Sequence, residues 1–179
     1  MAEVIFAGFG GQGIIRSGII VGRAAAIYDN KSATMNQDFG PEARGGATSV
    51  QLVISESRVL YPYLTALDVL VAMSQEAYQK FEPKLSDEKG LLLIDEDLVK
   101  LKPARGKIKD LSVPATRFAE EMGNRVIANV VMLGSFNAVT NIVSKSSMEK
   151  AVAESVPPRF IDLNLKAFEK GYQYGESLI

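Results

Sequence analysis

The sequence contains no cysteine, no histidine and no tryptophan. Without cysteine there is no disulfide and no protein thiolate to hold an iron–sulfur cluster. Without cysteine or histidine a zinc site lacks its usual ligands, so no metal site is expected. The Ser-His and Cys-His nucleophile pairs are excluded, which leaves Asp, Glu, Lys and Tyr for any acid–base chemistry. These absences favour a binding or partner-dependent subunit over a self-sufficient enzyme. Charge of one sign is also missing, since 20 basic residues face 21 acidic ones for a net charge of −1. No basic stripe is present, so nucleic acid is not an expected partner. The longest apolar region, residues 126–143, is interrupted by Asn129, Asn137, Thr140 and Asn141. It predicts a buried helix and no membrane span. Met1-Ala2-Glu3 is followed by a strand pattern instead of a basic and then a long apolar segment, so no secretory signal is expected and the cytoplasm is the expected location.

What the sequence does contain is an ordinary globular composition, 47% apolar and 23% charged over 179 residues. That length suits one domain over residues 1–179 with a core of its own. The chain opens on Glu3-Val4-Ile5-Phe6-Ala7-Gly8-Phe9-Gly10-Gly11-Gln12-Gly13. A short apolar run leads into glycines and then into a helical pattern. Gly8, Gly10 and Gly13 fit G-x-G-x-x-G with a strand before and a helix after. Such glycines let the backbone turn tightly and let a phosphate reach the amides of the helix start.

Further along, strands are expected at 4–7, 33–36, 48–55, 67–72, 90–94 and 108–113. Helices are expected at 14–28, 75–81, 115–122, 129–143, from a capping box Ser146-Ser147-Met148-Glu149 to about 156, and at 164–172 before a loose tail. The alternation predicts an α/β fold, a Rossmann-like sandwich with a largely parallel sheet flanked by helices.

Three features are candidates for function. The glycine loop suits a pyrophosphate. A dinucleotide site would also need an acidic residue ~20 positions on, at the end of the second strand. Asp29 precedes that strand and Asp38 follows it. The same glycines could instead serve helix–strand packing, and Gln12 could donate to a ligand oxygen or bond to backbone. The second feature is Gly40-Pro41-Glu42-Ala43-Arg44-Gly45-Gly46. This turn-rich loop sits near the glycine loop if the second strand ends near Asn36. It reads either as a ligand- or partner-facing segment carrying Glu42 and Arg44 or as a solvated connection. The third is Asn129 with Gly134-Ser135 in an apolar helix, read as core packing or as a subunit interface.

Gly8-Phe9-Gly10-Gly11-Gln12-Gly13 followed by Phe39-Gly40-Pro41-Glu42-Ala43-Arg44-Gly45-Gly46 resembles the gamma subunit of the 2-oxoacid:ferredoxin oxidoreductases. The resemblance continues through Leu67-Asp68-Val69-Leu70-Val71-Ala72, Gln75-Glu76-Ala77-Tyr78 and Asn129-Val130-Val131-Met132-Leu133-Gly134. Arg44-Gly45-Gly46-Ala47 and Val53-Ile54-Ser55 look most like the 2-oxoglutarate type. The resemblance implies a complex that oxidatively decarboxylates a 2-oxoacid with coenzyme A to acyl-CoA, carbon dioxide and reduced ferredoxin. Thiamine diphosphate would then lie in partner alpha and beta subunits, and magnesium and the iron–sulfur clusters in partner subunits of the same complex, which can include a delta subunit. This chain would support assembly and bind CoA without being catalytic alone. Gly8, Gly10, Gly11, Gln12 and Gly13, with Glu42 and Arg44 opposite, are the residues the resemblance assigns to CoA. An isolated subunit is expected to expose an apolar face and to self-associate through it. The rivals are a free-standing NAD(P)-binding oxidoreductase and a purely architectural subunit without a ligand.

Overall fold

A computed structural model of the chain describes residues 1–40, 45–61, 63–103 and 106–179. Its elements are β1 (Ala2–Phe9), α1 (Ile14–Arg23) running on into a π-helical turn (Ala24–Tyr28), β2 (Ser32–Phe39), β3 (Ala47–Ser55), β4 (Val69–Ala72), α2 (Gln75–Phe81), β5 (Leu91–Asp95), β6 (Lys109–Val113), α3 (Ala115–Glu121), α4 (Ala128–Thr140), α5 (Lys145–Glu154) and α6 (Ile161–Glu176). The six strands form one sheet in the order β2-β3-β1-β4-β5-β6. β1, β4, β5 and β6 pair in parallel, while β3 runs antiparallel to both β1 and β2. Five strands therefore point one way, as the α/β alternation predicts, and β3 alone is reversed.

The reversal follows from chain length. Only residues 40–46 join β2 to β3, and a parallel crossover needs about a dozen residues or more. The two strands therefore close as a hairpin. β2 runs on to Phe39, beyond the expected 33–36, because every residue from Ser32 to Phe39 has a partner on β3. The hairpin puts the end of β2 and the start of β3 on the same sheet edge as the end of β1, where Phe9 pairs with Ala47.

Alternate residues of each strand feed two cores. Val4 and Phe6 join α1, α3, α4, α5 and α6 on one face. Ile5 and Ala7 join α2 and the segments around Leu85, Val99 and Ile108 on the other. α4 is buried from Ala128 to Ala138 without a break, which is why it reads as apolar on all sides. Its small residues pack against α6: a Cβ on Gly134 would lie 2.0 Å from the Phe168 carbonyl, and one on Gly171 would lie 1.9 Å from that of Val131. The Ser135 hydroxyl donates to the Gly171 carbonyl at 2.8 Å. Gly134 and Ser135 therefore serve core packing. The expected loose tail is helical to Glu176 for the same reason, since Gly175 also lies against Ser135.

α5 begins two residues earlier than the expected capping box. Ser144 is its N-cap, accepting from the Ser147 amide. Asp29, just past α1, holds this cap in place by accepting from the Ser144 amide and from the Ser144 and Ser147 hydroxyls. Burial pushes its carboxyl up, but the bonds from Ser147 and Ser144 outweigh that and leave it below its ordinary value. A depressed acid stabilises the fold above its unfolded pKa of about 3.9, and that contribution disappears as pH falls through the folded value. Asp29→Asn is therefore expected to lower the Tm at neutral pH by a few degrees. The gap to wild type should close in melting curves taken between about pH 5 and pH 2.

Candidate functional site

The glycine loop sits at the carboxyl edge of the sheet, where α/β folds bind ligands. Gly11 and Gly13 hold φ of 96° and 75°, a region that other residues rarely enter. Gly13 is the N-cap of α1. A Cβ there would lie 2.6 Å from the Asn129 side-chain nitrogen. Asn129 meets this turn with long contacts to the Gly13 carbonyl at 3.4 Å and the Ser17 hydroxyl at 3.3 Å. The first amides of α1 have no partner inside the helix, and the residues that carry them, Ile14 to Arg16, line the crevice beside it.

Gln12 is fixed by backbone at both ends of its amide. Its Oε1 accepts from the Phe9 amide at 2.6 Å and its Nε2 donates to the Met73 carbonyl at 2.8 Å, just beyond β4. It is a latch between the loop and the neighbouring strand, with both ends of its amide bonded to backbone. Gly8 is small for this reason, since a Cβ there would lie 2.4 Å from Gln12 Oε1.

The β2–β3 connection reaches the loop as expected. The Gly10 amide donates to the Gly46 carbonyl at 2.8 Å, and the Gly40 amide closes the hairpin on Ala47 at 2.7 Å. A Cβ on Gly10 would lie 3.3 Å from the Gly45 amide nitrogen, a tight contact with backbone. Glu42 and Arg44 lie outside the described residues. Between loop, helix start and hairpin lies a crevice of about 270 Å³ lined by Gly10, Gly11, Gly13, Arg16, Phe39 and Gly45 among others. Arg16 is exposed.

Two more crevices share the glycine loop as a wall. One of about 240 Å³ lies on the α2 side, between Gly8, Asp38, Ser49, Glu76 and Lys80. Another of about 240 Å³ is lined by Gly11, Gln12, Met73, Leu98, Thr116 and Arg125. The sequence reading missed Asp95, which bonds to Thr116 of this third crevice. Burial pushes its carboxyl up. It accepts from the Thr116 amide and hydroxyl and from the Asp97 amide, so it works as a cap on α3 rather than as a free acid. Of the two candidate ribose partners, Asp29 holds the α5 cap at the far end of α1. Asp38 lies inside β2, one residue from its end, and not in a loop after the strand as expected, because the strand pairs with β3 as far as Phe39; its carboxylate is 3.6 Å from Lys80. No group of three or more potential metal ligands occurs among the described residues.

Comparison with known proteins places this geometry in context. The family model for pyruvate ferredoxin/flavodoxin oxidoreductase matches residues 3–174. A 2-oxoglutarate synthase subunit KorC from Methanocaldococcus jannaschii is 48% identical over 178 residues, covering 98% of this chain and 95% of that protein. The solved gamma subunit of a keto/oxoacid ferredoxin oxidoreductase from Geobacter sulfurreducens is 40% identical, with a TM-score of 0.86 and 99% of each chain covered. A 2-oxoglutarate:ferredoxin oxidoreductase from Magnetococcus marinus, solved with 2-oxoglutarate, coenzyme A and succinyl-CoA bound, shares the fold at a TM-score of 0.82 and 22% identity. This chain covers 30% of its length.

Proposed function

The chain belongs to the pyruvate ferredoxin/flavodoxin oxidoreductase family, and from that membership we propose that it holds coenzyme A and supports assembly within a 2-oxoglutarate:ferredoxin oxidoreductase complex. Its full-length relatives are subunits, and it is a gamma-type subunit most like the 2-oxoglutarate form. It is an oxidoreductase component that is not catalytic alone. Thiamine diphosphate, magnesium and the iron–sulfur clusters belong, on this reading, to alpha, beta and delta partners, which pass electrons to ferredoxin.

The crevice between the glycine loop and the hairpin carries the CoA assignment. A pyrophosphate needs backbone donors without side chains in the way, a positive helix end and a cation. Gly10, Gly11 and Gly13 supply the first, the start of α1 the second, and Arg16 the third. Gln12 shapes the loop, Gly8 makes room for Gln12, and Glu42 and Arg44 are assigned to the facing segment. CoA's role in the reaction is to accept the acyl group. This chain's part is to bind and orient its charged end.

Exposed apolar side chains on α1 and the edge strand support the assembly role. Ile19 and Ile27 on α1 and its π-helical turn, and Met35 and Phe39 on the edge strand β2, are exposed, with Ile27 at 62% and Phe39 at 63%. Partner subunits would cover these side chains, and the isolated chain would self-associate through them.

Removing the Arg16 charge tests the CoA assignment. Arg16→Ala is expected to weaken CoA binding about 5- to 20-fold, as for loss of one charge-assisted contact to phosphate. The melting temperature should stay near wild type because the side chain is exposed. Isothermal titration gives the first and a melting curve the second. Unchanged CoA affinity would remove Arg16 and its crevice from the site.

A further inference from the structure

We propose that the outer edge of β2 joins two copies of this chain, by antiparallel β2–β2 pairing about a two-fold axis at Gln37. This rests on the assembly reading above and deepens it by naming the occupant of one exposed edge; it is independent of the CoA assignment. Among the described residues β2 is a terminal strand that pairs only with β3. Alternate amides and carbonyls along its outer side therefore have no strand partner, and such an edge pairs with another chain unless proline, lysine, a bulge or a cover blunts it. The opposite edge strand, β6, is five residues long and carries Lys109 and Asp110. β2 is eight residues long without proline or lysine, and it keeps register with β3 from Ser32 to Phe39 without a bulge. Its start meets the segment after β3, where the Ser32 hydroxyl accepts from the Val59 amide at 2.9 Å. Its second half is open, with Met35, Gln37, Asp38 and Phe39 exposed.

Register sorts the open half into two faces. A Cβ on Gly22 of α1 would lie 3.5 Å from Leu52, and Leu52 pairs with Met35. Opposed residues of an antiparallel pair share a face, so Met35, Gln37 and Phe39 lie on the α1 face. Ile15 and Ile19 share a side of α1 with Gly22, and Ile19 is exposed. Asn36 and Asp38 lie on the other face, where Asp38 is paired with Lys80 of α2.

Self-complementarity selects a second copy as the occupant. A two-fold axis normal to the sheet makes an isologous contact and brings like faces together. Placed at Gln37, it sets Met35 opposite Phe39 of the second copy, twice, and Asn36 opposite Asp38, twice. The strand's two exposed apolar side chains then cover each other, thioether against ring, and each carboxylate gains an amide donor. Asp38 is the strand's only charge, and it meets no charge across the axis. An axis at Met35 would instead set Phe39 against Lys31 and draw the half-buried start of the strand into the contact. Gly18 and Gly22 place α1 over β3, so the two α1 helices would stand about 14 Å apart, three strand spacings. Ile15 and Ile19 of both copies then wall one apolar groove floored by the Met35–Phe39 pairs. Phe39 also lines the crevice beside Arg16, so each copy's Met35 backs a wall of the other's crevice.

The chain has no cysteine, so a single introduced thiol reports the axis. The test on the full chain joins sedimentation velocity to mild oxidation of two single-cysteine variants. Wild type is expected to sediment as a dimer. Gln37→Cys is expected to cross-link to its mate, since directly opposed Cβ atoms lie about 4.5–5.5 Å apart. Met35→Cys would stand about 13 Å from its mate along the strands and is expected to stay unlinked. Met35→Lys is expected to weaken the dimer about tenfold or more, because its ammonium would lose water against Phe39 of the second copy. Its circular dichroism should match wild type, since Met35 is exposed in the single chain. A monomeric wild type would overturn the pairing and the self-association together. A dimer that Met35→Lys leaves intact, or that links through Met35→Cys and not through Gln37→Cys, would overturn the pairing and leave self-association to another contact.

Discussion

Alanine at Gly171 is expected to destabilise the protein by about 3 kcal/mol, the upper part of the range for overpacking a core. Intrinsic helix propensity points the other way, since alanine is better than glycine in a helix interior by about 1 kcal/mol. Geometry decides the sign. The new Cβ would lie 1.9 Å from the Val131 carbonyl oxygen. That atom is backbone of α4 and cannot rotate aside, so α4 and α6 must separate. Separation also lengthens the 2.8 Å bond from the Ser135 hydroxyl to the Gly171 carbonyl and opens gaps around Phe168 and Phe136, both fully buried. Urea unfolding should show a lower midpoint with an unchanged m-value. Gly22→Ala is the control within the same experiment. Its Cβ would meet only the Leu52 side chain at an ordinary 3.5 Å, so propensity alone should act and stability should hold or rise. A Gly171→Ala variant as stable as wild type would contradict the close packing of the two helices.

Gln12→Ala is expected to cost about 2 kcal/mol and to weaken CoA by more than Arg16→Ala does. Truncation leaves the Phe9 amide and the Met73 carbonyl without the partners they have at 2.6 and 2.8 Å. Each part-buried orphan costs on the order of 1–3 kcal/mol, lessened where water can reach it. The same two bonds fix the glycine loop against β4, so without them the loop amides lose their arrangement around the ligand. The signature that separates a latch from a ligand contact is a fall in both Tm and affinity. A variant whose Tm stays at the wild-type value would contradict the latch, whatever its affinity, because both ends of the amide are bonded in the ligand-free protein.

Much of the architecture was legible in the sequence. The glycine cluster, the alternation of apolar runs with helical patterns, and the all-apolar α4 each have a local signature. The β2–β3 hairpin was legible only through the length of its connection, because alternation at 48–55 gives a strand without giving its direction. The extent of α6 was hidden for a different reason. Gly175 falls in the tail expected to be loose, yet its spacing of four from Gly171 marks a helix face that approaches another backbone closely, and the facing Gly134 completes it. Asp29 shows the limit of spacing arguments. It lies at a tolerable distance from the glycine loop for a ribose partner, but the sequence does not reveal that Ser144 and Ser147 come to it from over a hundred residues away. Ser49 and Glu3 escaped notice because buried polar residues in strands resemble the polar half of an alternating pattern. Glu3 accepts from the Thr65 amide and hydroxyl and from the Ala66 amide, a contact that no local rule predicts.

The most direct test of the central claim is a side-by-side titration of the isolated chain with coenzyme A and with NADH, using Arg16→Ala as the paired variant. Saturable CoA binding that Arg16→Ala weakens, with no NADH binding, is the expected result. Saturable NADH binding with none for CoA would contradict the account and return the glycine loop to a dinucleotide.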